Sequence, residues 1–242
     1  MKLKIEKIGD NMAIYAIADL HLSKGTGKDK SMDIFSGWEN YEDRLEKNWR
    51  KIVKPDDTVI MAGDFSWGLK LEKTKKDFEF LESLPGKKIL LKGNHDYWWA
   101  TRKKIDNFLN ENKFNSVSVI FNSAEEVENY SICGTRGWFY DKTCESDEKI
   151  LKREVQRLET SITLAKETGK EPLVFLHYPP IYSQFKCEEI LKTLKKYEIK
   201  RCYYGHLHGK NAISKAFIGN YDGIDFDLIS ADYLNFAPKL IV

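Results

Sequence analysis

Two spacings of apolar residues alternate along the chain. Ala13–Ala18, Thr58–Ala62, Lys88–Lys92, Val117–Phe121, Ser131–Thr135, Pro172–His177 and Arg201–Tyr204 are short apolar runs bounded by turn residues, the pattern of buried strands. Between them, Leu45, Trp49 and Ile52, and again Leu151, Val155, Leu158, Ile162 and Ala165, recur at the spacing that lines one face of a helix. A third helix is expected over Cys187–Tyr197, with Ile190, Leu191 and Leu194 inward. Strand and helix in alternation predict βαβ units, hence an α/β fold with a β core covered by helices on its faces. The tail reads differently: Ala212–Ile218, Ile224–Ile229 and Lys239–Val242 are strand-like, with a turn at Gly219-Asn220, which predicts antiparallel strands at the end. Ser23–Asn40, with Gly25, Gly27 and Gly37, reads as a long loop, and a loop of that length in a compact domain is usually functional or mobile. Neither an internal repeat nor linker composition interrupts the pattern, so residues 1–242 are expected to form a single domain.

Composition narrows the choice of class. With 42% hydrophobic, 31% charged and 13% aromatic residues the chain is globular, not disordered, collagenous or membrane-spanning. Lys and Arg number 39 against 37 Asp and Glu, a formal net charge of +2, which argues against duplex nucleic acid or an anionic membrane as partner. The first residues are basic, but Glu6, Lys7 and Asp10 interrupt any apolar stretch that a signal peptide needs, so a cytoplasmic location is expected. Cys133, Cys144, Cys187 and Cys202 are far apart with no CxxC pair, which fits small apolar residues better than a thiolate metal site or a redox pair.

The histidines carry the chemistry. His21, His95, His177, His206 and His208 each follow a strand or sit in a turn motif beside another polar ligand type: Asp19-Leu20-His21, Gly63-Asp64, Gly93-Asn94-His95-Asp96, Leu176-His177 and Gly205-His206-Leu207-His208. In an open α/β sheet the carboxyl ends of the strands share one edge, so distant segments converge there on a crevice. Carboxylate, imidazole and amide ligands brought together imply a metal site. Asp19, His21, Asp64, Asn94, His177, His206 and His208 are too many for one tetrahedral or facial-triad ion, and their oxygen and nitrogen donors suit two ions of Mn²⁺ first, with Fe, Zn²⁺ or Co²⁺ also compatible. Two divalent ions held by two carboxylates and a bridging hydroxide retain about one positive charge, which favours an anionic substrate and an in-line phosphoryl displacement.

These five blocks, in this order from residue 19 to residue 208, resemble the motifs of the calcineurin-like metallophosphoesterase superfamily. The resemblance implies a central β-sandwich flanked by helices, in four layers α/β/β/α, around a dinuclear centre. By motif position Asp19, His21 and His208 would hold one ion, Asn94, His177 and His206 the other, and Asp64 would bridge them. His95 would face the leaving group and assist its departure, with Asp96 orienting the imidazole. Arg136, between Gly134-Thr135 and Gly137-Trp138, reads either as a bidentate clamp on a substrate phosphate or as an ordinary ion pair, and Asn94 is placed on the substrate side as well. Trp67, Tyr97, Trp98, Trp99, Trp138, Phe139, Tyr140 and Tyr178 lie around the motifs, either as core packing or as a stacking wall for an aromatic group.

Phe65-Ser66-Trp67-Gly68 follows Gly-Asp where protein Ser/Thr phosphatases of the superfamily carry a second Asp and an Arg, and no capping domain of the recombination nucleases is present. The chain most resembles small prokaryotic predicted phosphohydrolases. The expected activity is hydrolysis of a phosphomonoester or phosphodiester by a hydroxide bridging two metal ions, on a small phosphorylated and conceivably nucleotide-like substrate. Two alternatives stay open: a non-catalytic metal-binding scaffold of the same fold, and a nuclease acting on single strands.

Overall fold

The computed structural model describes residues 12–27, 30–138 and 145–242. Thirteen strands alternate with six helices. The first half holds β1 (Ile14–Ile17), α1 (Tyr41–Ile52), β2 (Thr58–Ala62), α2 (Lys75–Ser83), β3 (Lys87–Leu91), α3 (Arg102–Glu111), β4 (Val117–Val119), β5 (Ala124–Val127) and β6 (Tyr130–Thr135). The second holds α4 (Glu145–Glu167), β7 (Glu171–Leu176), β8 (Ile181–Tyr182), β9 (Phe185–Lys186), α5 (Glu188–Lys196), β10 (Arg201–Tyr204), α6 (Lys210–Ile213), β11 (Gly219–Tyr221), β12 (Ile224–Leu228) and β13 (Lys239–Leu240).

Two sheets form. One has the order β13-β1-β2-β3-β4 and the other β11-β12-β10-β7-β6-β5. The β1–β4 neighbours are parallel, as are β6, β7, β10 and β12, while β13, β5 and β11 close the edges antiparallel. Alternate side chains point to opposite faces and both faces of the central strands are covered, so residues 59–62, 89–91 and 173–176 are continuous apolar runs. In β2, Ile60 and Ala62 face the other sheet and meet the layer of Ile132, Leu173 and Phe175, whereas Val59 and Met61 face the helices. Leu45 and Trp49 of α1, Phe78 and Leu81 of α2 and Ile105 and Leu109 of α3 cover that outer face. Leu151, Leu158 and Ile162 of α4, with Ile190 and Leu194 of α5, cover the outer face of the second sheet over Val174, Leu176, Cys202 and Tyr204. The result is the expected α/β/β/α sandwich. Phe175 is fully buried between the sheets, and its truncation to Ala is worth about 3–5 kcal/mol of stability.

Most of the expected strands and all three expected helices are present, with shifted ends. The tail differs. Ala212–Ile218 is not a strand: Ile213 and Ser214 donate their N–H groups back to Gly209 and Lys210, closing the helical turn α6, and Ala216 makes only an isolated bridge to Tyr182. Gly219-Asn220 lies inside β11; the turn comes at Asp222-Gly223, where both residues have positive φ, 52° and 84°. In the expected loop Ser23–Asn40, of which residues 28 and 29 lie outside the described residues, Met32–Ile34 form a 3₁₀ turn. Cys133, Cys187 and Cys202 are buried, and Cys144, Phe139 and Tyr140 lie outside the described residues. No helix among the described residues is long and apolar enough to cross a membrane.

Candidate metal centre

Each motif residue follows the carboxyl end of a parallel strand. Asp19 and His21 come after β1, Asp64 after β2, Asn94, His95 and Asp96 after β3, Arg136 after β6, His177 after β7, and His206 and His208 after β10. Because the two sheets face each other, these ends meet along one edge of the sandwich. The turns are tight: Asp19, His21, Asp64 and His206 all adopt positive φ, between 46° and 69°. For non-glycine residues this backbone is uncommon, and its clustering here marks a site where geometry has overridden local preference.

Glycines make the approach possible. A Cβ on Gly63, itself at φ 92°, would lie 2.7 Å from both the Gly93 Cα and His177 Nδ1. One on Gly93 would lie 2.1 Å from Asp64 Oδ1. The Gly-Asp and Gly-Asn dipeptides of the sequence are therefore the contact between the β2 and β3 loops.

Two groups of donor atoms lie within 4.8 Å of one another: Asp19, His21 and Asp64, and Asp64, His177 and His206. Asp64 belongs to both. Its Oδ2 is 3.7 Å from His21 Nε2 and 3.4 Å from His177 Nε2, while its Oδ1 accepts the His95 backbone N–H at 2.8 Å. His177 Nδ1 lies 3.1 Å from the Ala62 carbonyl, and the tautomer that donates there leaves Nε2 as a lone pair, beside Asn94 Oδ1 at 2.6 Å. The His208 ring stands 5.3 Å from the His21 ring.

The electrostatics suit a cation. Burial raises Asp19 well above the carboxylate range, with the Asp64 charge adding to it, and burial lifts Asp64 to about 6. Burial also lowers His21 strongly, and takes His177 to about 3 and His206 to about 2, so the imidazoles are neutral and their lone pairs available. Asp19 Oδ1, Asp64 Oδ2 and both ring nitrogens of His21 are buried without a hydrogen-bond partner among the described residues. Buried polar atoms are normally satisfied, so carboxylate and imidazole donors left open toward one point fit a divalent ion.

Asp96 has a different place from the expected one. It does not orient the His95 ring: its Oδ2 accepts from the N–H groups of Gly93 (2.7 Å) and Asp64 (2.9 Å), and its Oδ1 from Phe65 N (2.9 Å) and the Trp98 indole (2.9 Å). It is a clamp between the β2 and β3 loops. His95 Nδ1 is buried without a hydrogen-bond partner, and the ring is held among Trp67 at 4.8 Å, His21 at 5.7 Å and Tyr97 at 6.1 Å. Arg136 is half-buried, with Nη2 3.6 Å from Glu154.

The aromatic residues divide. Trp98 is core, 2% exposed, against Phe65 and Phe78. Trp67 stacks on His21 at 4.7 Å, and Tyr178 stands 4.6 Å from His206, so these two belong to the wall of the centre. Two contributors escaped the sequence reading. Trp38, from the Ser23–Asn40 loop, is buried 6.0 Å from the His21 ring and 5.9 Å from His208, and its neighbour Tyr41 donates its hydroxyl to the His21 carbonyl at 2.7 Å. Asp232 accepts the Gly209 N–H at 2.6 Å and its charge opposes the lowering of His208 by burial. Gly37-Trp38 was a signal for the first; nothing in the spacing pointed to the second.

Fold and donor set together define a class: an α/β/β/α sandwich with a buried carboxylate–imidazole cation site at the carboxyl edge of its parallel strands. Residues 12–210 match the calcineurin-like phosphoesterase family, and the chain belongs to it. A phosphopantetheinyl hydrolase from Mycobacterium tuberculosis has a similar structure, with TM-score 0.53 and 17% identity over 97% of both chains. A protein of unknown function from Aquifex aeolicus is similar at TM-score 0.51 and 20% identity, over 95% of this chain and 96% of that one. At such identities the likeness concerns the fold. An uncharacterized protein of Methanocaldococcus jannaschii is 36% identical over 83 residues, 34% of this chain and 46% of that protein, so the match spans about half the length of the relative.

Proposed function

We propose that the protein hydrolyses phosphate esters at a centre of two divalent ions, with Mn²⁺ the first candidate and Fe, Zn²⁺ or Co²⁺ compatible with the same donors. The observation that supports this reading is Asp64, which belongs to both groups of donor atoms. Asp19, His21 and His208 would hold one ion and Asn94, His177 and His206 the other, with Asp64 between them. Such a pair of ions supplies Lewis acidity and a hydroxide nucleophile near neutral pH.

The remaining steps fall to the chain's own groups. Asp96 fixes the turn that aims Asp64, and the Ala62 carbonyl fixes the His177 ring. His95, tethered through its backbone N–H to Asp64 Oδ1, presents its imidazole at the partly exposed rim, where it donates a proton to the departing ester oxygen. General-acid assistance of this kind is worth about 10²–10⁴-fold. Arg136 adds positive charge on the substrate side.

The test is hydrolysis of p-nitrophenyl phosphate and bis-p-nitrophenyl phosphate by metal-stripped protein with Mn²⁺ restored, with metal content measured in parallel, for wild type and Asp64→Asn. Two ions per chain and Mn²⁺-dependent turnover are expected, both lost in the variant; the ratio of the two substrates assigns monoester or diester chemistry. Two bound ions with turnover of neither substrate favours the non-catalytic scaffold.

A further inference from the structure

Next to the metal centre, the carboxyl ends of β3, β4 and β6, the first turn of α3 and the middle of α4 enclose a cavity of about 480 Å³. Its charge is lopsided. Among the described residues Lys92, Lys104, Arg136 and Arg157 line it against a single carboxylate, Glu154. That carboxylate is already engaged: its side chain is 1% exposed, and it accepts from Thr135 Oγ1 at 2.7 Å and Arg157 Nη1 at 2.6 Å, with Arg136 Nη2 at 3.6 Å. Among the described residues Lys92 and Lys104 make no ion pair. Arg136 Nε is buried without a hydrogen-bond partner.

Cations crowded into one concavity repel each other, and partly buried ones lack the water that would screen them. Trp99 and Phe121, stacked with their centroids 6.2 Å apart and 15° between planes, line the same cavity and strengthen its field on that side. Thr101, the N-cap of α3, also lines it and makes no side-chain cap, so the positive end of a ten-residue helix adds to the same potential. An anion of charge about −2 matches this excess. Carboxylates and most metabolites carry less per group; a terminal phosphate carries that charge at one point and offers acceptors in several directions.

The position relative to the metal centre decides what brings the anion. The Arg136 guanidinium is 6.0 Å from the Tyr178 ring, which in turn stands 4.6 Å from His206, and the Arg136 carbonyl accepts the N–H groups of His177 and Tyr178. Arg136 therefore separates the cavity from the metal centre by one side chain. We propose that the cavity binds a second phosphate group of the substrate, so that the preferred substrate is a phosphoester with another phosphate on the part that is not cleaved. This rests on the phosphoesterase reading above, in which the metal centre takes the scissile phosphate and leaves these cations for a different one.

The test separates the two readings. Calorimetric titration of metal-stripped protein with adenosine 3′,5′-bisphosphate is compared with adenosine 5′-monophosphate, for wild type and for Lys92→Gln, Lys104→Gln and the double variant. Lys104 is exposed and unpaired, so its variant folds even if Lys92→Gln does not. Hydrolysis of both nucleotides by the Mn²⁺-loaded protein is measured alongside. The expected result is that metal-stripped protein binds both nucleotides through a phosphate in the cavity, weakened at least tenfold in the double variant and severalfold in Lys104→Gln, while the Mn²⁺-loaded protein prefers the bisphosphate at least tenfold in kcat/KM. The ratio of kcat/KM for the two nucleotides falls in step. Binding indifferent to the lysines, or equal kcat/KM for the two nucleotides, overturns the second-phosphate site even if both are hydrolysed. Lysine-dependent binding with no Mn²⁺-dependent hydrolysis of any ester keeps the site and overturns the phosphoesterase reading.

Discussion

Asp96 and Asp64 are joined through the main chain: Asp96 Oδ2 accepts the Asp64 N–H at 2.9 Å and the Gly93 N–H at 2.7 Å. The loops after β2 and β3 are thus pinned by one fully buried carboxylate, whose other oxygen accepts from Phe65 and the Trp98 indole. Asn at this position keeps one acceptor oxygen and turns an NH₂ group toward N–H donors. Buried donors left unsatisfied cost about 1–3 kcal/mol each. Asp96→Asn is expected to lower stability by about 3 kcal/mol in urea unfolding and to weaken Mn²⁺ binding, although Asp96 is in neither group of donor atoms. Wild-type metal affinity in a destabilised variant would show that the clamp does not position Asp64.

His95 is expected to act on the leaving group and not on the metals. Its Nδ1 has no hydrogen-bond partner among the described residues, and its backbone N–H donates to Asp64 Oδ1. His95→Ala should retain wild-type metal content and slow turnover by about 10²–10⁴-fold on an alkyl phosphate. On p-nitrophenyl phosphate, whose leaving group needs little protonation, the loss should be much smaller. Equal losses on both esters, measured as kcat, would remove the general-acid role; loss of metal would make the ring a ligand.

Gly93 carries a steric prediction. A methyl group there would meet Asp64 Oδ1 at 2.1 Å and the Asp64 nitrogen at 2.2 Å, and backbone cannot swing aside as a flexible side chain would. Gly93→Ala is expected to cost about 1–3 kcal/mol in unfolding free energy and to weaken Mn²⁺ binding at least tenfold by displacing the shared carboxylate. Calorimetric metal titration of the folded variant checks it.

How legible this was in the sequence depended on how each element is buried. β2, β3 and β7 lie between a second sheet and a layer of helices, so after a polar start at Thr58, Lys87-Lys88 and Glu171 their residues are apolar on both faces and the run stands out. α2 and α3 did not stand out, because α3 buries only Ile105 and Leu109, while α2 buries the polar Asp77 on the same face as Phe78 and Leu81. Asp77 Oδ2 accepts there from the Ser66 hydroxyl, a tertiary contact no periodicity reports. The motif residues were readable because ligand types recur after strands. What they do beyond that was not: Asp96 and His95 are adjacent in the chain, yet Asp96 serves the neighbouring loops, and Asp232 reaches the site only through the β12 turn.

The pH dependence of metal binding should come from the carboxylates and not from the imidazoles. Burial lowers His177 to about 3 and His206 to about 2, so neither takes up a proton in the accessible range. Burial raises Asp64 to about 6, whereas in the unfolded chain an Asp titrates near about 4. A raised carboxylate pKa means that the metal-free folded state holds a proton which the unfolded chain has already released, so metal-free stability falls as pH rises through that window. Metal binding runs the other way, because an ion needs the carboxylates ionised and displaces their protons, so affinity climbs as pH rises through the Asp64 value of about 6 and goes on climbing above it, since Asp19 is raised well above the carboxylate range. Melting temperatures of metal-free and Mn²⁺-loaded protein should therefore separate as pH is raised from about 4.5 to about 6.5 and keep separating above it as Asp19 ionises. A gap that is already constant below pH ~5.5 would show that Asp64 is ionised before the metal arrives, and that the proton competing with the ion is not on this carboxylate.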